Sequence, residues 1–277
     1  MTTLGTGIAR SVRKSVAARL ASYLRLNAAF YTGSGAPCTR GTVFECRVRA
    51  TPDYLPGFVG DLVMLYQNGS EQVERINFRC ARIIAGKRGE RFFLKEFPRL
   101  RASHDLERRL RCSRVDRAWR AGHLLPKLGI LTPRPIGTAQ SRAADGSVTE
   151  YLAMEWLESA RELPDLIASS GQDERVELLA EFTAEMGRWH DLGIYVRDLV
   201  KNVLVMIEDG QRRYWLTDLD GLHPIRWPNR ARVLFHMRQL AHWAKPTAEE
   251  AALIAASYCR DAQSDLAAAV QSALLAD

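Results

Sequence analysis

The chain has 277 residues, enough for one large domain or two lobes that each bury a core. Hydrophobic residues make up 47% and charged residues 26%, the balance of an ordinary folded protein, and the absence of any apolar run of roughly 18 residues excludes a membrane-spanning helix. The net charge of +7 is carried entirely by residues 1–49, which hold eight basic side chains and one acid (Glu45), while the rest of the chain is neutral.

That basic front has a period. Ile8, Val12, Val16, Leu20 and Leu24 recur every four residues, with Arg10, Arg13, Lys14 and Arg25 elsewhere, so the spacing predicts a basic amphipathic helix over 8–26. Such a helix either lies on an anionic membrane surface or packs its apolar stripe on its own domain, and both readings stand. Sparse aromatic residues in this segment speak against a nucleic-acid partner. The five cysteines (Cys38, Cys46, Cys80, Cys112, Cys259) are odd in number and form no C-x-x-C. With no signal-peptide core at the N-terminus, they predict reduced thiols in a cytoplasmic protein.

Strands are predicted at Leu62–Tyr66, Ile76–Ile84 and Arg91–Phe97, with turns at Asn68-Gly69-Ser70 and Lys87-Arg88-Gly89-Glu90. An arginine-rich helix follows over roughly 103–128 and stops at Leu131-Thr132-Pro133-Arg134-Pro135. A hairpin closed near Asp145-Gly146 has Tyr151–Met154 in its second strand. From about residue 173 the pattern is mainly helical: Val176, Leu179, Phe182, Met186 and Trp189 form one apolar face, and Gly193 is placed to stop that helix. Strands dominate the first half and helices the second, which predicts an α+β protein of two lobes. The expected divisions are a basic segment over 1–50, a strand-rich N-lobe over 51–157 and a helical C-lobe over 158–277.

The exception within the helical half is YVRDLVKNVLVMIEDGQRRYWLTDLDG, residues 195–221. Val203–Ile207 and Arg213–Thr217 read as strands around an acidic turn with glycine. Antiparallel pairing brings Asn202 and Asp218 to one edge, and Asp198 sits on the loop entering it. Three oxygen-bearing side chains gathered there suit a hard cation such as Mg²⁺.

This order of features resembles the catalytic and metal loops of the protein-kinase-like fold, and within it the lipopolysaccharide core kinases that act on Kdo and heptose. Arg91-Phe92-Phe93-Leu94-Lys95-Glu96-Phe97 is similar to the strand that bears the ATP lysine. Arg117-Ala118-Trp119-Arg120 followed by Leu128-Gly129-Ile130-Leu131-Thr132-Pro133 resembles the family's helix and strand entry, and Met154-Glu155-Trp156-Leu157 its hinge. The likeness covers roughly residues 60–240. It implies a bilobal kinase-like fold and ATP-dependent phosphorylation of a sugar hydroxyl of the lipopolysaccharide core, on the cytosolic face of the inner membrane. It also implies roles for particular residues: Asp198 as catalytic base; Lys95, Gly69, Ser70, Glu155, Leu157 and Lys201 around ATP; Asn202, Asp218 and Asp220 around Mg²⁺.

Four departures accompany the resemblance. Val196 stands where a histidine is usual, two residues before Asp198, and only three residues separate Asp198 from Asn202 where four are usual. Ala118 occupies the position expected of the helix glutamate that pairs with the ATP lysine, Asp116 and Glu107 being the nearby carboxylates. No G-x-G-x-x-G precedes Lys95. A kinase-like regulatory or binding protein, or another small-molecule phosphotransferase, is therefore the alternative expectation.

Overall fold

The structure, a computed structural model, describes residues 39–43, 46–68, 73–75, 81–85, 90–100, 113–222, 230–262 and 266–275. The expected amphipathic helix over 8–26, the turn residues Gly69 and Ser70, and the stretch 103–112 of the arginine-rich helix lie outside the described residues. The chain divides into two compact units, a strand-rich one containing Gly35–Leu166 with Val200–Leu222, and a helical one whose described parts fall in Ile167–Leu199 and residues 223–277.

Among the described residues of the strand-rich unit, β1 (Thr39–Val43), β2 (Cys46–Ala50), β3 (Val73–Arg75), β4 (Ala81–Ala85), β5 (Arg91–Leu100), β6 (Pro135–Arg142) and β7 (Val148–Glu155) form an antiparallel sheet in the order β1-β2-β6-β7-β5-β4-β3. β5 is interior: Lys95 faces Ala81 on β4 and Leu152 on β7. Because side chains alternate along a strand, Phe92 and Leu94 point to one face and Phe93, Lys95 and Phe97 to the other.

The first face is covered by helix α1 (Pro56–Asn68), where a strand was expected at Leu62–Tyr66. The physical reason is the period. Val59, Leu62, Val63 and Tyr66 are the buried hydrophobic side chains, a spacing of three and four that forms a helical stripe, and Pro56 opens the helix where its missing N–H costs nothing. This stripe packs with Phe92, Leu94, Ile136, Tyr151 and Ala153 into one core cluster. Strand β4 (Ala81–Ala85) overlaps the strand expected at Ile76–Ile84 over residues 81–84, residues 76–80 lying outside the described ones, and the expected strand at Arg91–Phe97 lies within β5.

Helix α2 (Arg114–Leu124) packs against β6 and β7 and against the turn Leu219–Gly221. Ser113 caps it, its Oγ accepting from the Asp116 N–H at 3.1 Å. Gly122 faces the first residue of β6 so closely that a Cβ there would stand 2.3 Å from Pro135 Cγ. A second sheet, in the order β10-β9-β8, joins β8 (Arg161–Glu162), β9 (Val203–Glu208) and β10 (Gln211–Leu216). Asp209 and Gly210 close the β9–β10 hairpin, both at positive φ (51° and 74°), as a two-residue type I′ turn requires.

Helix α3 (Leu163–Ser169), whose first four residues count with the strand-rich unit, leads into α4 (Gln172–Asp191) of the helical unit, whose buried residues include Leu179, Phe182, Met186 and Trp189. Gly193, at φ 76°, ends α4 as expected: its N–H donates to the His190 carbonyl and that of Ile194 to the Trp189 carbonyl, the two bonds of a Schellman cap. Helices α5 (Arg230–Ala244), α6 (Ala248–Ala262) and α7 (Ala267–Leu274) complete the unit. Thr247 and Glu250 form a reciprocal capping box at the start of α6, and Arg175 of α4 pairs with buried Glu250 at 3.0 Å, tying α6 to α4. The class is α+β, a strand-rich and a helical unit, as the sequence predicts. Among the described residues no helix is long and apolar enough to cross a membrane.

Candidate active site

The β9–β10 register pairs Val203 with Leu216, so Asn202 and Thr217 flank the open end of the hairpin. The Asn202 carbonyl accepts from the Thr217 N–H at 2.7 Å and from its hydroxyl at 3.0 Å. This holds the backbone at Asn202 beside the chain entering Asp218, the edge predicted from antiparallel pairing. Asp218 takes a left-handed conformation (φ 52°, ψ 47°), an uncommon one for a side-chain-bearing residue, and begins the turn Leu219–Gly221.

Lys95 reaches this turn from the sheet face opposite Leu94. Its ammonium is ion-paired with Asp218 and, at 3.0 Å, with Asp220 Oδ1. Asp220 is almost fully buried, its side chain 2% exposed, and its other oxygen accepts from Arg114 Nε at 2.6 Å. Arg114 and Lys95 both lie over the Phe97 ring, at 5.3 and 5.2 Å from its centroid. The four charges balance: two cations against two carboxylates.

The two aspartates are unlike. Burial raises the Asp218 carboxyl, its hydrogen bond and repulsion with Asp220 raise it further, and the total, about 6, survives the opposing pull of Lys95. Burial also acts against ionised Asp220, but the hydrogen bond from Asp218 and the charges of Lys95 and Arg114 prevail, and its carboxyl falls below the ordinary range. Lys95 is raised, because Asp220 and Asp218 outweigh the effect of its burial. Asp220 has both oxygens bound by cations and is almost fully buried, whereas the Asp218 side chain is 37% exposed.

Oxygen donors from a carboxylate and an amide are the chemistry of a Mg²⁺ site that keeps positions for phosphate oxygens and water. Asp218 and Asn202 fit that description. Among the described residues no group of three or more His, Cys, Asp or Glu side chains is gathered to hold a metal, so this pair would need ligands from a bound nucleotide.

The other expected site residues are placed as follows. Glu155 ends β7, next to β5, and its Oε1 accepts from the Arg134 N–H at 2.7 Å; Leu157 follows it, buried. Lys201 is exposed on the short 3₁₀ turn Val200–Asn202. Asp198 belongs to the helical unit and is exposed on the turn 197–199. Asp116, the carboxylate near the expected glutamate position, pairs instead with Arg49 at 2.7 Å.

Sequence reasoning missed Arg114. It found no glutamate at the expected helix position, Ala118, and named no other partner there, whereas α2 presents a cation, Arg114, to Asp220. The one local signal is Ser113, which as N-cap places Arg114 in the first turn of α2.

The profile of the lipopolysaccharide kinase (Kdo/WaaP) family matches residues 90–251, more than half of the chain. The chain belongs to this family. The match takes in Lys95, Arg114, Asp198, Asn202, Asp218 and Asp220, and leaves out Gly69, Ser70 and the basic front. No curated protein matches the chain. Among solved structures, WaaP in complex with acyl carrier protein aligns at 15% identity with a TM-score of 0.49, covering 73% of this chain and 85% of that one. Membership of the lipopolysaccharide kinase family makes this a lipopolysaccharide kinase, a phosphotransferase.

Proposed function

We propose that the chain transfers the γ-phosphoryl group of ATP to a sugar hydroxyl, of Kdo or heptose, in the lipopolysaccharide core. The observation that carries this is the Lys95–Asp218–Asp220 cluster at the open end of the Asn202–Asp218 hairpin. Lys95 exchanges its bond to Asp218 for the α- and β-phosphates while keeping Asp220. Asp218 and Asn202 would hold Mg²⁺, which would supply positive charge against the negative charge that develops in transfer. Asp198 accepts the proton of the attacking hydroxyl as its oxygen bonds to phosphorus and the bond to ADP breaks. Glu155 and Leu157 line the adenine, and Gly69, Ser70 and Lys201 contact the phosphates. Asp220 leaves the metal set, since Lys95 and Arg114 already occupy both its oxygens.

The acceptor is built on a lipid, so residues 1–26 are assigned to reversible contact with the anionic cytosolic face of the inner membrane. Five basic side chains there contribute about 1 kcal/mol each near such a surface. Loss of sedimentation with anionic liposomes on deleting 1–26 supports the contact; full-length protein that ignores them at low salt removes it.

A family member without catalysis is the second reading, favoured by the short interval from Asp198 to Asn202. Transfer from labelled ATP to purified lipopolysaccharide core acceptors decides between the two. Asp198→Asn and Asp218→Asn are each expected to lower transfer by on the order of 10³-fold, because positioning and charge supply most of the catalysis in this reaction. Wild-type turnover in both variants would refute the assignment, and no transfer by the wild-type protein favours the second reading.

A further inference from the structure

The turn bearing Asp198 carries no histidine two residues upstream; Val196 is buried and has no side-chain hydrogen-bonding group. Its main chain is anchored instead. On α5, His236 and Gln239 are three residues apart and share a face. His236 Nε2 meets the Val196 carbonyl at 2.8 Å, and Gln239 Nε2 donates to the Arg197 carbonyl at 2.9 Å. These are the last two carbonyls before Asp198.

Behind His236 stands a chain of buried groups. His236 Nδ1 is 2.7 Å from His190 Nε2, and His190 Nδ1 is 3.0 Å from the Tyr258 hydroxyl. His190, His236 and Tyr258 are each at most 2% exposed. A carbonyl only accepts, so His236 must carry its proton on Nε2. Its Nδ1 is then an acceptor, His190 donates from Nε2, and the Tyr258 hydroxyl donates to His190 Nδ1. The direction of every bond follows from the Val196 carbonyl. Burial pushes both imidazoles down, His236 to about 4, which keeps them neutral as this pattern requires. Tyr195, the residue before Val196, stacks on His190 with centroids 4.8 Å apart and rings 13° from parallel, so the loop's own chain also packs on the relay.

We propose that His236 and Gln239 are positioning residues for the Asp198 loop, with His236 held in its orientation by His190 and Tyr258. The inference rests on the reading of Asp198 as catalytic base. A histidine pair serving only the core would satisfy its own hydrogen bonds. Here the relay ends on the backbone next to Asp198, and a second side chain from the same helix face holds the next carbonyl. In a low-dielectric interior such a chain is stiff when complete and loses much when one member goes.

The test uses the full-length protein with ATP and a lipopolysaccharide core acceptor. His236→Leu is expected to lower kcat roughly 10- to 100-fold with KM for ATP and nucleotide affinity unchanged, because a displaced base slows only the chemical step. His236→Gln, whose amide restores a donor at the Nε2 position, is expected to recover most of the rate, which a general packing role would not predict. Gln239→Ala, at a half-buried position, is expected to lower kcat in the same sense and keeps the test alive if His236→Leu does not fold. Nitrogen NMR of the histidine rings supplies an independent readout: both rings should carry the proton on Nε2 and none on Nδ1. Wild-type kcat in His236→Leu and Gln239→Ala while Asp198→Asn is inactive would overturn this inference alone, as would a proton on His236 Nδ1. A fully active Asp198→Asn would overturn the functional reading, and this inference with it.

Discussion

Two glycine-to-alanine substitutions in helices of the same unit should move stability in opposite directions. Gly57 is the second residue of α1, is exposed, and a Cβ built on it meets nothing within 4 Å. Helix propensity then acts alone, and Gly57→Ala should stabilise by about 0.5–1 kcal/mol. Gly122 in α2 gains the same propensity, but its Cβ would lie 2.3 Å from Pro135 Cγ and 2.9 Å from Pro135 Cδ. The proline ring cannot swing aside, because its own backbone is fixed and β6 is paired with β7 at this point. Overpacking of this kind costs about 1–3 kcal/mol, so Gly122→Ala should be net destabilising by up to about 2 kcal/mol. The Leu219 contact at 3.6 Å is ordinary, so it is Pro135 that forces the helix to shift, and Arg114 on the same helix shifts relative to Asp220. Phosphoryl transfer should therefore fall along with stability. Urea unfolding followed by tryptophan fluorescence measures both variants, compared through midpoints at equal slope, since the chain has two compact units that need not unfold together. If Gly122→Ala is stabilised as much as Gly57→Ala, the close approach of α2 to β6 is refuted.

Further outcomes follow from the charged cluster and the histidines. Lys95→Met should raise the Kd for Mg·ATP by about tenfold or more, the loss of one charge-assisted contact, while the fold survives because the stem still lies on the sheet face; titration calorimetry with unchanged affinity would return Lys95 to an ordinary role. Asp220→Asn should lose about 1.5–3 kcal/mol of stability, as it breaks charged hydrogen bonds at a buried site, whereas Asp218→Asn should chiefly weaken Mg²⁺-dependent nucleotide binding; equal stability losses in urea would contradict the division of roles. His236 is faced by His190, Tyr195 and Arg232, and its folded value of about 4 lies below the unfolded 6.5. The unfolded chain thus binds more protons between these values, so stability should drop by about 3 kcal/mol from this group as pH falls from about 6.5 to 4. His236→Gln should flatten that part of the stability profile, and parallel profiles for the two proteins would refute it.

Local chemistry determined much of what positions the site. The Asp209-Gly210 turn specifies a tight hairpin by itself, since both residues tolerate positive φ, and antiparallel pairing then sets Asn202 beside Asp218. Gly193 ends α4 for the same reason, and Lys95 could be placed on a strand from the short apolar run before it and the turn at residues 87–90. Residues 62–66 were misread because a five-residue apolar run fits either period; the stripe Val59, Leu62, Val63, Tyr66 shows itself once the sheet core it packs on is known. Which partners the charged groups choose was beyond the sequence. Lys95 and Asp220 are 125 residues apart and Arg114 and Asp220 are 106 apart, and whether α2 turns Arg114 or Asp116 toward them depends on how that helix seats on β6, through Gly122 and Pro135. The relay from Tyr258 through His190 to His236 likewise joins residues on three helices, and only their packing aligns its donors and acceptors. Secondary structure follows from neighbours along the chain, whereas ion pairs and buried hydrogen bonds follow from neighbours in space.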